Sequence, residues 1–292
     1  MRIINTILSC DRVTVHNDGR VTVKGYEKVA GTDDNRRFGM IVIDVLRTLI
    51  TLLWLVILYV LSLILWPIGF IHQKINPVKA EIWQQKLVCT MLRTILFTCG
   101  VRVKYEGLEN IPDSDEAFMI AGNHRSIFDI VLTYPIAPKR TAFVAKQGLE
   151  KVPLITRWMK RLKCLFIHNG DIKQELKTII NAIDHVKSGV SVCIYPEGRR
   201  HKGEDEIDVE PFKEGSFKIA TKANARVIPI AISGAREIFE GYRFYPVIHG
   251  KKVTVKVGEP IDLKSLSAEQ QKHPGEYVRG VVVGMLEEIH NS

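Results

Sequence analysis

Between Thr48 and Ile71 the chain reads TLITLLWLVILYVLSLILWPIGFI, 24 residues without a charged side chain. As one continuous helix this run would be roughly 36 Å long, enough to cross the hydrocarbon core of a bilayer. A soluble core rarely needs an all-apolar helix of that length. Trp54 and Trp66 stand near its ends, where indoles anchor at a membrane interface, and Pro67 with Gly69 is expected to bend or end the helix. A second segment, Glu81 to Gly100, carries Ile82, Leu87, Met91, Leu92, Ile95 and Leu96 among few charges. It reads as an amphipathic helix, suited to the interface or to covering the first. Arg36, Arg37 and Arg47 precede the apolar run, and His72, Lys74, Lys79 and Lys86 follow it. Positive charge on both flanks does not favour crossing. Between a single-pass helix and a hairpin dipped into one leaflet, the monotopic hairpin is preferred.

Three regions follow from this texture: 1–36 with a hairpin, 37–100 with the membrane-associated helices, and 101–292 with a globular domain. In the first, Val13/Val15 and Val21/Val23 alternate around His16-Asn17-Asp18-Gly19, a hairpin signal. In the third, short apolar runs suggest strands at Ala117–Ala121, Thr141–Ala145, Cys164–Ile167, Val190–Tyr195, Val227–Ile232 and Val253–Val257. The clearest helix between them opens at Asp171 as N-cap, with Gln174 completing a capping box. It carries Ile172, Leu176, Ile179, Ile180, Ile183 and Val186 as one stripe and stops at Gly189. Strands alternating with helices give an α/β fold: a central mixed, largely parallel sheet flanked by helices, preceded by the N-terminal membrane-binding helical pair. The formal net charge of +9 points to an anionic partner without choosing among nucleic acid, lipid and phosphorylated substrate. The five cysteines show neither a CxxC pair nor metal-ligand spacing, so reduced structural thiols in a cytosolic compartment are expected.

The stretch FMIAGNHRSIFDIV, residues 118–131, leaves an apolar run through Gly122 and Asn123 and places Asp129 five positions after His124. Residues five apart on a helix sit about 140° apart, so His124 belongs to the loop and Asp129 to a helix that begins after it. With Ser126 as N-cap, Asp129 falls at the third helical position, its side chain pointing back toward the loop. Two readings of the same residues stay open here. Ser126-x-x-Asp129 is a capping-box pattern, and His124 with Asp129 is a general base oriented by a carboxylate.

After the fourth strand, IYPEGRRHKGEDE gathers Arg199 and Arg200 beside Glu197 and Gly198, a phosphate clamp or a solvated basic loop. Lys213 and Gly215 follow at a helix start, and Val227-Ile228-Pro229 at a buried run. In this order the pieces resemble the glycerolipid acyltransferase family, most closely its 1-acylglycerol-3-phosphate acyltransferases. The NHxxxxD block is met by Asn123, His124 and Asp129; KxxLxxxP by Lys146, Leu149 and Pro153; FPEGTR by Tyr195, Pro196, Glu197, Gly198, Arg199 and Arg200; and FKxG by Phe212, Lys213 and Gly215. The resemblance covers roughly residues 101–260.

The resemblance implies that His124 and Asp129 are catalytic and that Asn123, Lys146, Glu197, Gly198, Arg199, Arg200 and Lys213 bind substrate, with backbone amides near Gly198 facing the oxyanion. It implies acyl transfer from acyl-CoA or acyl-carrier protein to lysophosphatidate at the cytoplasmic face of a membrane. No cofactor, metal or nucleic acid is implied. Two departures bear on the acceptor. Phe166-Ile167-His168-Asn169 stands where the family usually carries F-I-D-R, and Arg199 replaces a threonine. Another lysolipid or glycerol phosphate as acceptor is the alternative. Two rivals from other classes explain less: GNH also ends the metal-binding series of calcineurin-like phosphoesterases, whose upstream D-x-H is missing before Gly122, and a basic lipid-binding protein leaves the His124–Asp129 spacing without a purpose.

Overall fold

Phe118, Met119, Ile120 and Ala121 are all buried, because both faces of the strand they enter, β5 (Met119–Gly122), are covered by helices. The protein is described here by a computed structural model over residues 13–15, 21–23, 26–28, 34–168, 170–241 and 247–292. Two units are distinguished, 1–44 and 45–292.

In the first unit, β1 (Val13–Val15) and β2 (Val21–Val23) pair antiparallel with Val13 opposite Val23, and β3 (Tyr26–Lys28) adds a third strand. The turn residues 16–19 lie outside the described residues.

The second unit is built on a seven-stranded sheet. Its remaining strands are β4 (Arg102–Glu106), β6 (Thr141–Lys146), β7 (Leu165–Ile167), β8 (Ser191–Ile194), β9 (Val227–Ser233) and β10 (Lys252–Val257), in the order β4-β10-β9-β5-β8-β6-β7. Every pairing is parallel except β10 with β9. Six of these strands match the expected runs within two residues at each end. The seventh, β4, alternates only Val103 and Tyr105 with charged residues and has no continuous apolar run to announce it.

Because side chains alternate along a strand, each strand feeds two cores. On one face Phe118, Ile120, Cys193 and Ile230 meet α3 (Phe128–Thr133) and Cys89 and Leu96 of α2 (Pro77–Thr98). On the other, Met119, Ala121, Val192 and Ala231 meet α5 (Ile172–Lys187), α6 (Glu214–Ala223) and α8 (Pro274–His290), with α7 (Ala268–Lys272) leading into α8.

Helix α1 (Asp34–Ile75) runs unbroken through Pro67, against the expectation of a break there. The carbonyls near the proline are engaged from outside: Arg161, at the end of α4 (Pro153–Arg161), donates to Trp66 O at 2.7 Å, and Gln84 donates to Gly69 O at 3.1 Å. The chain reverses instead at Asn76, whose side chain caps α2 by accepting from Lys79 N. Along α1 the buried positions Thr51, Ser62 and Gly69 form one narrow stripe, while Leu53, Leu61, Ile64 and Ile71 are exposed. Glu81 of α2 bridges Arg140 and Lys163, both at 2.9 Å, which ties α2 to the body.

A further correction concerns α5. Asp171 caps it through Lys173 N and Gln174 N, yet the capping box is not closed by Gln174; Gly170 N donates to Glu175 Oε1 instead. The expected single stripe is split. Thr178, Ala182 and Val186 are buried, whereas Ile172, Leu176 and Ile180 face solvent.

Candidate active site

Parallel strands end together, so the loops after β5, β6 and β8 converge on one edge of the sheet, where open α/β folds place ligands. The chain can turn closely there only because residue 122 is glycine: a Cβ would stand 2.7 Å from Ile230 O. Asn123 is buried and extends the pairing with β9, donating to Ile232 O at 2.9 Å and accepting from Ile232 N at 2.8 Å. Both ends of its amide are therefore used in holding the loop, not in facing substrate.

His124 follows with its ring stacked on Tyr195, centroids 4.5 Å apart and planes within 10°. Nδ1 lies 2.8 Å from Asp129 Oδ2. The same oxygen accepts from the amides of Arg125 and Ser126, each at 2.8 Å. The carboxylate thus makes both kinds of contact its spacing left open, with the backbone ahead of the helix and with the imidazole. The helix starts one residue later than expected: Ile127 is its N-cap, and Ser126 Oγ, which accepts from Phe128 N, donates to Glu240 Oε2 at 2.7 Å. With Nδ1 engaged, His124 presents Nε2, which has no protein partner among the described residues, at a half-buried surface position.

Glu197 is buried, and each carboxylate oxygen accepts a backbone N–H, from His124 and from Glu210. Burial pushes its carboxyl up to about 7, outweighing the pull of those two amides and of His124 and His201. Its place is that of a clamp between two loops rather than a substrate ligand. His201 N donates back to His124 O at 2.7 Å, closing the link. Gly198 adopts φ +73°, and its N–H closes the turn on Tyr195 O at 3.1 Å, so that amide is not turned to an oxyanion. Lys213 lies across Gly198, where a Cβ would meet its Cε at 2.9 Å.

The remaining expected cations are exposed. Arg199 pairs with Glu210 at 2.7 Å, Arg200 with Glu240 at 2.9 Å, and Lys213 reaches Glu175 at 3.7 Å. Lys146 is exposed at the end of β6, which β8 separates from β5. Asn169 lies outside the described residues. Two residues that sequence reasoning passed over matter as much as those it chose. Arg125, buried, donates to the carbonyls of Gly203 and Asp205, at 2.5 and 2.6 Å. Glu240 accepts from Ser126 Oγ, Ile127 N and Arg200. Neither had a local pattern to mark it, since their partners lie dozens of residues away. Among the described residues, no three His, Cys, Asp or Glu side chains are grouped as a metal site would need.

The acyltransferase family model matches residues 102–233, which hold β4 through β9 and the site just described except Glu240. That stretch of the chain is similar to the acyltransferase family. The chain is 29% identical over 181 residues to a chloroplast 1-acyl-sn-glycerol-3-phosphate acyltransferase of Arabidopsis thaliana, an alignment covering 56% of this chain and 50% of that protein. It is 26% identical over 199 residues to a 1-acyl-sn-glycerol-3-phosphate acyltransferase of Borreliella burgdorferi, covering 68% and 77%. Its structure is similar to the crystal structure of the 1-acyl-sn-glycerophosphate acyltransferase PlsC of Thermotoga maritima, with a TM-score of 0.71 at 27% identity, covering 85% of this chain and 98% of that one. The chain thus spans half the length of its Arabidopsis relative and nearly all of the solved structure.

Proposed function

We propose that this acyltransferase moves a fatty acyl group from a thioester donor, acyl-CoA or acyl-carrier protein, to the free hydroxyl of 1-acylglycerol 3-phosphate, forming phosphatidic acid. The observation that carries the chemistry is the 2.8 Å contact between His124 Nδ1 and Asp129 Oδ2, which leaves Nε2 as the proton acceptor. The substrate hydroxyl gives its proton to Nε2 as its oxygen attacks the thioester carbonyl carbon. Asp129 stabilises the imidazolium that forms, the tetrahedral intermediate collapses with cleavage of the C–S bond, and the thiolate recovers the proton from Nε2. General-base assistance supplies roughly 10² to 10⁴ in rate.

Phosphate recognition falls to the exposed cations Lys146, Arg199, Arg200 and Lys213. Exposed ion pairs such as Arg199 with Glu210 are worth about 0–1 kcal/mol, so a phosphate displaces their carboxylates at little cost. The names of the relatives and the phosphate-sized set of cations support lysophosphatidate as acceptor.

The protein sits on a membrane as a monotopic enzyme. One helix, over Gly39–Ile75, is long and apolar enough to cross. Yet α2 runs beside it, with Thr94 accepting from Trp54 and Gln84 reaching Gly69 O, and α2 exposes Lys86 and Arg93. A spanning α1 would carry those two charges into hydrocarbon, at about 2.5–3.5 kcal/mol each. Lying in the interface, α1 buries its apolar flank and leaves them in water. Turnover of the purified protein with labelled acyl thioesters against a panel of lysolipids tests the reading. Preference for a neutral lysolipid over lysophosphatidate would reject the acceptor, and no transfer to any acceptor would reject the enzyme class.

A further inference from the structure

The outer face of α5 and α6 is chemically unlike the rest of the catalytic body. Ile172, Leu176 and Ile180 recur at intervals of four on α5 and are 83%, 56% and 48% exposed, although the helix has a buried stripe of its own. Four-residue spacing aligns them into one ridge about two turns long. Lys173 and Lys177 flank the ridge, and Lys218 and Lys222 are exposed on the neighbouring α6. None of these four lysines has a carboxylate within ion-pair distance among the described residues. The ridge begins at the rim of the active site: Glu175, one turn from Ile172, reaches Lys213, whose side chain lies over Gly198.

An apolar ridge flanked by lysines suits either an anionic bilayer or an acidic protein. The layers decide between them. Helix α2, which carries α1, packs on the sheet face of Phe118 and Ile120, whereas α5 and α6 cover the opposite face of Met119 and Ala121. With α1 in the membrane, the ridge points away from it, toward water. We infer that the α5–α6 face docks a small acidic protein that bears the acyl thioester on a flexible arm, an acyl-carrier protein, by setting an apolar helix of the carrier along the Ile172–Leu176–Ile180 ridge with its carboxylates on the lysines. The inference rests on the acyl-transfer reading and names the donor for it. Docked there, the carrier's arm enters the site past Lys213, and the thioester carbonyl meets the hydroxyl that His124 activates. No covalent chemistry is added to the face itself. Acyl-CoA, a small donor, reaches the same site without touching the ridge.

The experiment uses the full chain in mixed micelles with lysophosphatidate, comparing acyl-carrier protein and acyl-CoA as donors at varied ionic strength. The variants are Lys177→Glu/Lys218→Glu/Lys222→Glu and, separately, Leu176→Ser/Ile180→Ser, all outside the machinery described above. Each is expected to raise KM for acyl-carrier protein at least tenfold, with kcat within twofold and with KM for acyl-CoA unchanged. In the parent protein, KM for the carrier should rise with salt while that for acyl-CoA changes less. Several results overturn the inference: equal shifts for both donors, no shift for either, failure of the parent protein to use acyl-carrier protein while using acyl-CoA, or loss of vesicle binding in place of donor selectivity, which would make the ridge a lipid contact. Absence of transfer from both donors to any acceptor would instead overturn the acyl-transfer reading beneath it.

Discussion

Asp129 Oδ2 accepts two backbone amides and faces His124 Nδ1, all three at 2.8 Å. One oxygen therefore sets the shape of the loop and the orientation of the base, and separating those roles takes a substitution that keeps the shape. Asp129→Asn retains an oxygen acceptor but loses the charge that stabilises the imidazolium. It should lower kcat by roughly 10² to 10⁴, with His124→Ala at least as severe, while circular dichroism and vesicle binding stay unchanged. Near-normal turnover in Asp129→Asn would reduce the carboxylate to a helix cap.

Glu197 couples the clamp to pH. Its carboxyl is pushed up to about 7 in the folded protein from an ordinary value near 4.5, so between those limits the native state holds a proton the unfolded chain has released. The sign follows: this group makes stability fall as pH rises from about 4.5 to 7, and costs a constant amount above that. Glu197→Gln removes the slope but sets an amide N–H against a backbone donor at His124 or Glu210, a loss of about 1–3 kcal/mol. Thermal midpoints of the two proteins across pH 4.5–8 should therefore converge as pH rises toward 7. Parallel curves would mean that Glu197 is ionised throughout.

Arg125 is buried, and its guanidinium holds the carbonyls of Gly203 and Asp205. Arg125→Met leaves the Asp205 carbonyl without its donor and the Gly203 carbonyl with Arg236 alone, which loosens the 203–208 loop beside the dyad. A loss on the order of 3 kcal/mol is expected, read as a lowered thermal midpoint, together with reduced kcat. An unchanged midpoint would show that the loop holds itself.

For the acceptor, Arg199→Thr should raise KM for lysophosphatidate with little change in kcat, because it removes a contact made equally in ground and transition states. One charge-assisted contact corresponds to roughly ten- to a hundredfold. If KM is indifferent to Arg199 but rises in Arg200→Ala, the phosphate is held on the Glu240 side. If neither matters, an acceptor without a phosphate at that position becomes the better assignment.

Membrane contact is tested without truncation, since cutting at Val101 would strip Cys89 and Leu96 from the core and the Gln85 bonds to Thr141 and Pro138. Leu53 and Ile64 are each 62% exposed on α1. Leu53→Lys/Ile64→Lys should reduce partitioning onto vesicles at least tenfold and leave the fold intact. Retained partitioning would move the lipid contact elsewhere.

The sequence by itself determined what depends on neighbours along the chain. The apolar runs of β5, β8 and β9 and the ordered blocks from Asn123 to Pro229 are local signals, and the spacing of His124 and Asp129 was enough to bring a loop imidazole to a carboxylate on the next helix. What long-range packing decides was not legible. Pro67 reads as a helix breaker because its missing N–H and ring disfavour a helix interior, yet the helix runs on through it where Arg161, 94 positions later, packs and donates to Trp66 O. The resemblance implied Glu197 and Asn123 as substrate ligands, and tertiary structure turned both onto backbone groups that burial would otherwise leave unpaired. The apolar arc of α5 is wider than the surface its own sheet covers, so periodicity marked Ile172, Leu176 and Ile180 as core. Only the placement of α6 and the sheet edge left them in water, because a helix buries the side that neighbours occupy rather than every side that is apolar.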